Sequence, residues 1–431
     1  MSSSHDFLTR KILDALPDWQ RDLWAPAQKK LIAEYCWYPD WFYSHNREQQ
    51  TAARPYVILV DGSPFHYLPA NPIETNWHVE DDGTLRRVPN APNVHWHFVS
   101  RGFHDSLERV IHHLRADRID EAARFAGPLL HVVEDAGSVI HVLEGVDGTD
   151  VAVLDRLLRP PTDRMLDMPG MVLRQDDALD FDWGSFTPTL LGATIGETVF
   201  RLYAAFCAMV RTNRFEVVPI VHDQWSGQPQ AARDRIAQMN RRMCGLGVDV
   251  LTTLACIAAS RFEPDDLKAL EHVPLEELEP IHRPHFLPGY ETSPVVINHN
   301  LDAEHRKVPL RLSLSDGVRT FERGIGTGCH AEYLLAYDLP KGVYERFRGF
   351  VGQHAELVAQ GAFGVEIRLA GETVFDRAFD QRNPATEFDL PVVTGGMLEL
   401  YVRDRTGDWS NPNNHVVWAQ PHLVRRAVSA M

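Results

Sequence analysis

The stretch GPLLHVVEDAGSVIH, residues 127–141, sets His131, Glu134, Asp135 and His141 inside an apolar run of Leu129, Leu130, Val132, Val133, Val139 and Ile140. His131 and Asp135 are four residues apart, so on a helix they share one face. His141 falls about 80° round from His131 if that helix continues. A single histidine in such a run is usually a packed core residue. A carboxylate buried alone is costly, however, and is normally paired or bound to a metal. Imidazole and carboxylate on one face form a ligand set suited to zinc. One helix supplies only two or three ligands, so this chemistry requires partners from other elements.

The elements that would supply them lie in an N-terminal half with helical periodicity. Leu8, Ile12, Ala15 and Leu16 form a helical stripe with Ser4 placed to cap it. Leu107, Val110, Ile111 and Leu114 form another, and Pro128 is expected to kink or restart the helix that follows. Val199, Leu202, Tyr203 and Phe206 mark a later helix, and a long pattern runs from about Ala231 to Ala259. Proline and acids crowd the region 263–294, which reads as a connector. Beyond it the period falls to two: Val365, Ile367 and Leu369 alternate before a turn near Gly371, and Leu398, Leu400 and Val402 alternate again. The expected organisation is a helical domain over 1–275, a linker over 276–293 and a β-sandwich over 294–431.

Read for further ligands, the helical half offers His5 at the start of the first helix, Asp40 in YPDWFY and His66 in PFHYLP. A leading histidine, then YPD, then HY, then H-x3-D-x5-H resembles the zinc-dependent phospholipase C family, related to the single-strand-specific zinc nucleases. The resemblance covers about residues 5–210 and is most specific at HVVEDAGSVIH. It implies an all-α fold with Asp40, His66, His131 and Asp135 around a first zinc. It also implies His141 at a second, and His5 at a third with Asp135 bridging. The family's partners of His141 are a histidine and an acid four residues on; this chain has Ala193 and Glu197 there. Glu144, His222 and the pair His95/His97 stand as alternatives, the pair being suited to a strand or loop. The family's third site also uses a processed N-terminal amine, whereas this sequence starts Met-Ser-Ser-Ser. One zinc is therefore expected, with two or three possible. The implied activity is hydrolysis of a phosphodiester, a phospholipid head-group or a nucleic acid, with Asp40 and Asp135 as catalytic carboxylates and Asp40 able to accept a proton. Trp37, Trp41, Phe42 and Tyr43 are candidates for a pocket lining or for core.

The later segment RGIGTGCHAEYLLAYDLPKGVYERFRGFVGQHAE resembles the carbohydrate-binding-module-like NPCBM family, a galactose-binding-like jelly roll. The matching residues are Gly324, Gly326, His330, Tyr337, Asp338, Phe347, Gly349 and Gly352, with Trp418 in a final strand. This resemblance covers about residues 294–424 and implies a glycan as a partner. The fold class is thus multidomain, all-α followed by all-β. The rival to the enzyme reading is a non-catalytic glycan-binding protein that keeps one structural zinc.

Composition sets bounds on both readings. The 431 residues suffice for two or three domains, and 44% hydrophobic with 24% charged residues is ordinary for a globular protein. A formal net charge of -16 argues against a broad non-specific nucleic-acid surface. Five scattered cysteines with no CxxC argue against a disulfide scaffold or a thiolate zinc site. No apolar run approaches the roughly 20 residues of a membrane span, and the first residues lack the apolar core of a signal peptide. The expectation is a cytoplasmic protein as the sequence stands, or a secreted one if a leader was trimmed.

Overall fold

The computed structural model describes residues 4–65, 77–79, 85–87, 94–138, 180–281, 295–302, 304, 306–327, 333–357, 361–380, 382–405 and 414–427. The chain divides into two compact units, one of residues 1–72 and 94–267, the other of 73–93 and 268–431.

The first unit is helical. In order come α1 (Ser4–Asp14), α2 (Asp18–Trp24), α3 (Gln28–Ala33), a 3-10 turn (Tyr35–Trp37), α4 (Tyr38–Phe42), α5 (Arg47–Ala53), α6 (Val94–Arg115), α7 (Ile119–Gly137), α8 (Ile195–Trp225) and α9 (Pro229–Ala259). In α1 the stripe Leu8, Ile12 and Leu13 is buried, with Leu16 just past its end, and His5 and Thr9 continue it as buried polar residues. Every residue of α7 from Phe125 to Gly137 is buried. Pro128 does not break α7, which is one continuous helix through it. Packing on all sides offsets the single ladder hydrogen bond that proline removes. The helix ends at Gly137, and Ser138 is extended with ψ 152°. α9 is long and apolar enough to cross a membrane, but most of its apolar stretch is buried inside the protein. It is a core helix of this unit.

One glycine sets the geometry of α7 against the 3-10 turn. A Cβ on Gly127 would lie 2.4 Å from the Tyr35 carbonyl carbon and 2.5 Å from its oxygen. Only glycine lets that backbone approach so closely. Residues 127, 131 and 135 follow at helical spacing, so the close approach brings the Cys36–Asp40 segment over His131 and Asp135.

Among the described residues the second unit has two larger antiparallel sheets beside three two-stranded ones. Its labelled strands are β1 (His272–Pro274), β2 (Val295–Ile297), β3 (Gly324–Thr327), β4 (Tyr333–Leu339), β5 (Tyr344–Gln353), β6 (Ala362–Leu369), β7 (Glu372–Asp380), β8 (Thr386–Pro391), β9 (Gly396–Asp404) and β10 (Val416–Arg425). One sheet runs β8-β5-β10-β3-β2, with β1 also on β10; the other runs β4-β9-β6-β7. Val365, Ile367, Leu369, Leu398, Leu400 and Val402 all point into the core. The β6–β7 hairpin turns through Ala370 and Gly371, both at positive φ (50° and 87°), as a two-residue hairpin requires. Between the sheets, Tyr333 Oη accepts a 3.0 Å hydrogen bond from the buried Trp418 Nε1. Gly326 has the His299 carbonyl oxygen 2.0 Å from where its Cβ would be, so no side chain fits there.

The expected linker is ordered in its described part. β1 pairs with β10 through Val273↔Leu423 and its neighbours. Arg323 bonds Glu276 at 2.8 Å and also holds Glu277, and Ile281 N–H donates to the Ala336 carbonyl at 2.8 Å. The β unit therefore starts near residue 268, ahead of the expected 294. The buried Val273 and Leu275 account for this; they are apolar anchors inside a segment that reads as proline- and acid-rich.

Candidate metal centre

Three elements meet at the site: α1 brings His5, α4 brings Asp40 and α7 brings His131 and Asp135. Asp40 follows Pro39 in the first turn of a short helix, where a proline is favoured. His131 Nε2 lies 3.0 Å from Asp135 Oδ2 and 3.8 Å from Asp40 Oδ1, and His5 Nε2 lies 3.4 Å from Asp135 Oδ1. Two donors held 2.0–2.2 Å from one zinc in tetrahedral geometry stand about 3.4 Å apart. The observed separations bracket that value. One ligand atom each from His5, Asp40 and His131 lies within 4.8 Å of the others.

The tautomer of His131 is fixed by its surroundings. Its Nδ1 is 2.6 Å from the Cys36 carbonyl oxygen. A carbonyl only accepts, so Nδ1 carries a proton, and Nε2 is the nitrogen left to face the carboxylates and a metal. This is the outer partner a metal-ligating histidine usually has. The His5 ring stacks on His131 with centroids 4.0 Å apart and stands perpendicular to the Trp37 ring at 4.9 Å. Burial by itself would lower the pKa of His5. Hydrogen bonds to Asp135 and Glu134, with their negative charges, outweigh it and hold His5 well above its ordinary value. His131 is fully buried and His5 and Asp135 nearly so, while the Asp40 side chain is 45% exposed. The cluster thus has three sheltered donors and one open to solvent. All of its donors are imidazole nitrogen or carboxylate oxygen, a set that fits zinc.

The remaining expected residues fall as follows. His66, His141 and Glu144 lie outside the described residues. His5, which the resemblance gave to a third ion, here gathers with Asp40 and His131. Glu197 is used to cap α8: its Oε2 accepts from Ala193 N–H at 2.9 Å, and Thr194 Oγ1 accepts from its N–H at 3.2 Å. His222 is exposed and sits 3.5 Å from Asp223. His95 and His97 are on α6, not on a strand or loop, and His97 Nε2 pairs with Asp61 at 3.0 Å on the surface. Of the nearby aromatics, Trp37, Trp41 and Phe42 are half-buried and Tyr43 is exposed; Trp41 lines an open cleft with Lys29, Lys30 and Glu34. Sequence reasoning assigned no role to Thr9, the Cys36 carbonyl or Glu134. Thr9 was detectable as the residue four beyond His5.

Among curated proteins none matches this chain. Among solved structures it is similar to a CBM51 module from Clostridium perfringens in complex with methyl-galactose: 24% identity, TM-score 0.28, covering 36% of this chain and 99% of that one. It is similar to the Clostridium perfringens alpha-toxin at 10% identity and TM-score 0.33, over 96% of this chain and 84% of that one. The alpha toxin of Clostridium absonum gives 9% identity and TM-score 0.31, over 99% and 95%. In sequence, residues 286–424 match the NPCBM/NEW2 domain family, which places that domain in the β unit.

Proposed function

We propose that the helical unit is a zinc-dependent phosphodiester hydrolase centred on His5, Asp40, His131 and Asp135, and that the β unit binds a glycan. The observation that carries the metal reading is that one ligand atom each from His5, Asp40 and His131 lie within 4.8 Å of one another, with Asp135 beside both histidines and His131 Nδ1 tied to a backbone carbonyl. A bound zinc would polarise a phosphoryl oxygen and make water a nucleophile near neutral pH. Asp135 faces both histidine Nε2 atoms and is sheltered, so it would serve as a metal ligand beside them. Asp40 is the carboxylate open to solvent, and it is placed to take the proton of an attacking water. Glycan binding rests on the match of residues 286–424 to the NPCBM/NEW2 domain.

A second reading, a structural zinc beside a glycan-binding module, is favoured by one observation: the Glu197 carboxylate caps its own helix. The experiment is hydrolysis of a phosphocholine ester and of single-stranded DNA, each with zinc and with chelator, by wild type and His131→Ala. Turnover that needs zinc and is lost in His131→Ala supports the hydrolase. No turnover above the His131→Ala background on either substrate leaves the structural-zinc reading in its place.

A further inference from the structure

Glu134 is buried at 1% exposure, beside Asp135 on α7. It is rotated about 100° from Asp135 on the helix, toward α1. Both of its oxygens are occupied from one face of α1. Thr9 Oγ1 donates to Oε1 at 2.9 Å, and His5 Nδ1 sits 2.6 Å from Oε2. His5 and Thr9 are four residues apart, so α1 delivers both donors together. A buried carboxylate needs such partners to be tolerated at all.

We infer that Glu134 is a positioning residue for His5, aiming its Nε2 at the point shared with His131, Asp40 and Asp135; this rests on the metal reading above. An ionised carboxylate only accepts, so the ring nitrogen facing it carries the hydrogen. Nε2, the atom 3.4 Å from Asp135 Oδ1, is then the ring nitrogen left to ligate a metal once its own proton is displaced. The perpendicular Trp37 ring and the stacked His131 ring hold the ring plane, and Glu134 sets which nitrogen points inward. Both Glu134 oxygens accept from α1, so its part is to hold His5 rather than to ligate. His131 and His5 are thus prepared in the same way by different acceptors, a backbone carbonyl for one and a carboxylate for the other. The carboxylate also raises the basicity of the ring it holds.

The test is a thermodynamic cycle on the full-length protein. Zinc affinity is measured by competition with a chromophoric chelator for wild type, Glu134→Gln, Glu134→Ala, His5→Ala and the double variant His5→Ala/Glu134→Gln. The unfolding midpoint of each metal-free protein is measured alongside. Glu134→Ala is expected to weaken zinc binding about 10- to 100-fold. Glu134→Gln keeps the shape and can still bond His5 and Thr9, and it should weaken zinc about 10-fold with little change in the midpoint. In the His5→Ala background Glu134→Gln should change affinity by less than about 2-fold, because the residue acts through His5. Unchanged affinity in both single variants overturns the inference, and so does a full additive loss in the double variant, which would make Glu134 a ligand. If Glu134→Ala fails to fold, Glu134→Gln and the double variant decide. A wild type with no zinc affinity would instead remove the metal reading itself.

Discussion

Gly127→Ala probes the positioning of the whole site with one methyl group. Its Cβ would stand 2.4 Å from the Tyr35 carbonyl carbon and 2.8 Å from the Tyr35 Cβ. Ordinary carbon contacts are about 3.5–4.0 Å, so the Tyr35–Trp37 backbone must retreat by about 1 Å. A retreat of that size takes the Cys36 carbonyl from 2.6 Å to about 3.6 Å from His131 Nδ1, past hydrogen-bonding range. Overpacking costs about 1–3 kcal/mol, and a buried N–H left without its acceptor about 1–3 kcal/mol more. Alanine returns about 1 kcal/mol in helix propensity. The net is a destabilisation of roughly 1–5 kcal/mol with weakened zinc binding. Urea unfolding followed by circular dichroism, with a zinc titration of the same samples, reads both. Gly137→Ala on the same helix is the control. Its nearest neighbour is the Met243 side chain, which can move, so its cost should be smaller. A Gly127→Ala protein as stable as wild type and equal to it in zinc affinity would refute the reasoning.

Asp135→Ala should remove stoichiometric zinc, measured by elemental analysis, because Asp135 faces both histidine Nε2 atoms. Asp249, pushed up to about 7 by burial against a bond from the Thr189 N–H, has a folded pKa above its unfolded one. Its contribution to stability is therefore full at low pH and is lost as pH rises from about 4 toward 7. Asp249→Asn keeps an acceptor for Thr189 and should stabilise by about 1–3 kcal/mol at pH 8, with the gain vanishing near pH 4, in denaturant titrations across pH. Residues 268–431 expressed alone should fold as a β protein by circular dichroism and melt higher than 290–431. The shorter piece lacks the strand that pairs with Leu423.

How far the residues themselves announced this arrangement differs between the two units. In the β unit, alternation at Val365, Ile367 and Leu369 marked the core face, because a half-buried strand has period two. In α7 the four-residue step from His131 to Asp135 marked a shared face for the same kind of reason. What periodicity cannot carry is contact between elements distant in sequence. His5 and Glu134 are 129 residues apart and meet only because α1 packs beside α7. The role of Gly127 was hidden for the same reason, since a glycine inside a helix reads as a weakness until the approaching backbone is seen. His95 and His97 misled because their spacing suits a strand, while the long amphipathic run through Leu107 and Val110 carries them on a helix. The connector misled because its buried apolar residues, Val273 and Leu275 among them, are scattered among prolines and acids.

The central claim is that His5, Asp40, His131 and Asp135 hold one zinc ion between them. A zinc-edge anomalous difference map from crystals of the zinc-loaded protein tests it directly. The account predicts a peak about 2.0–2.2 Å from His131 Nε2, with His5 Nε2 and the Asp40 and Asp135 carboxylates as its other neighbours. A map with no peak at that point, or with zinc bound only elsewhere on the protein, would contradict it.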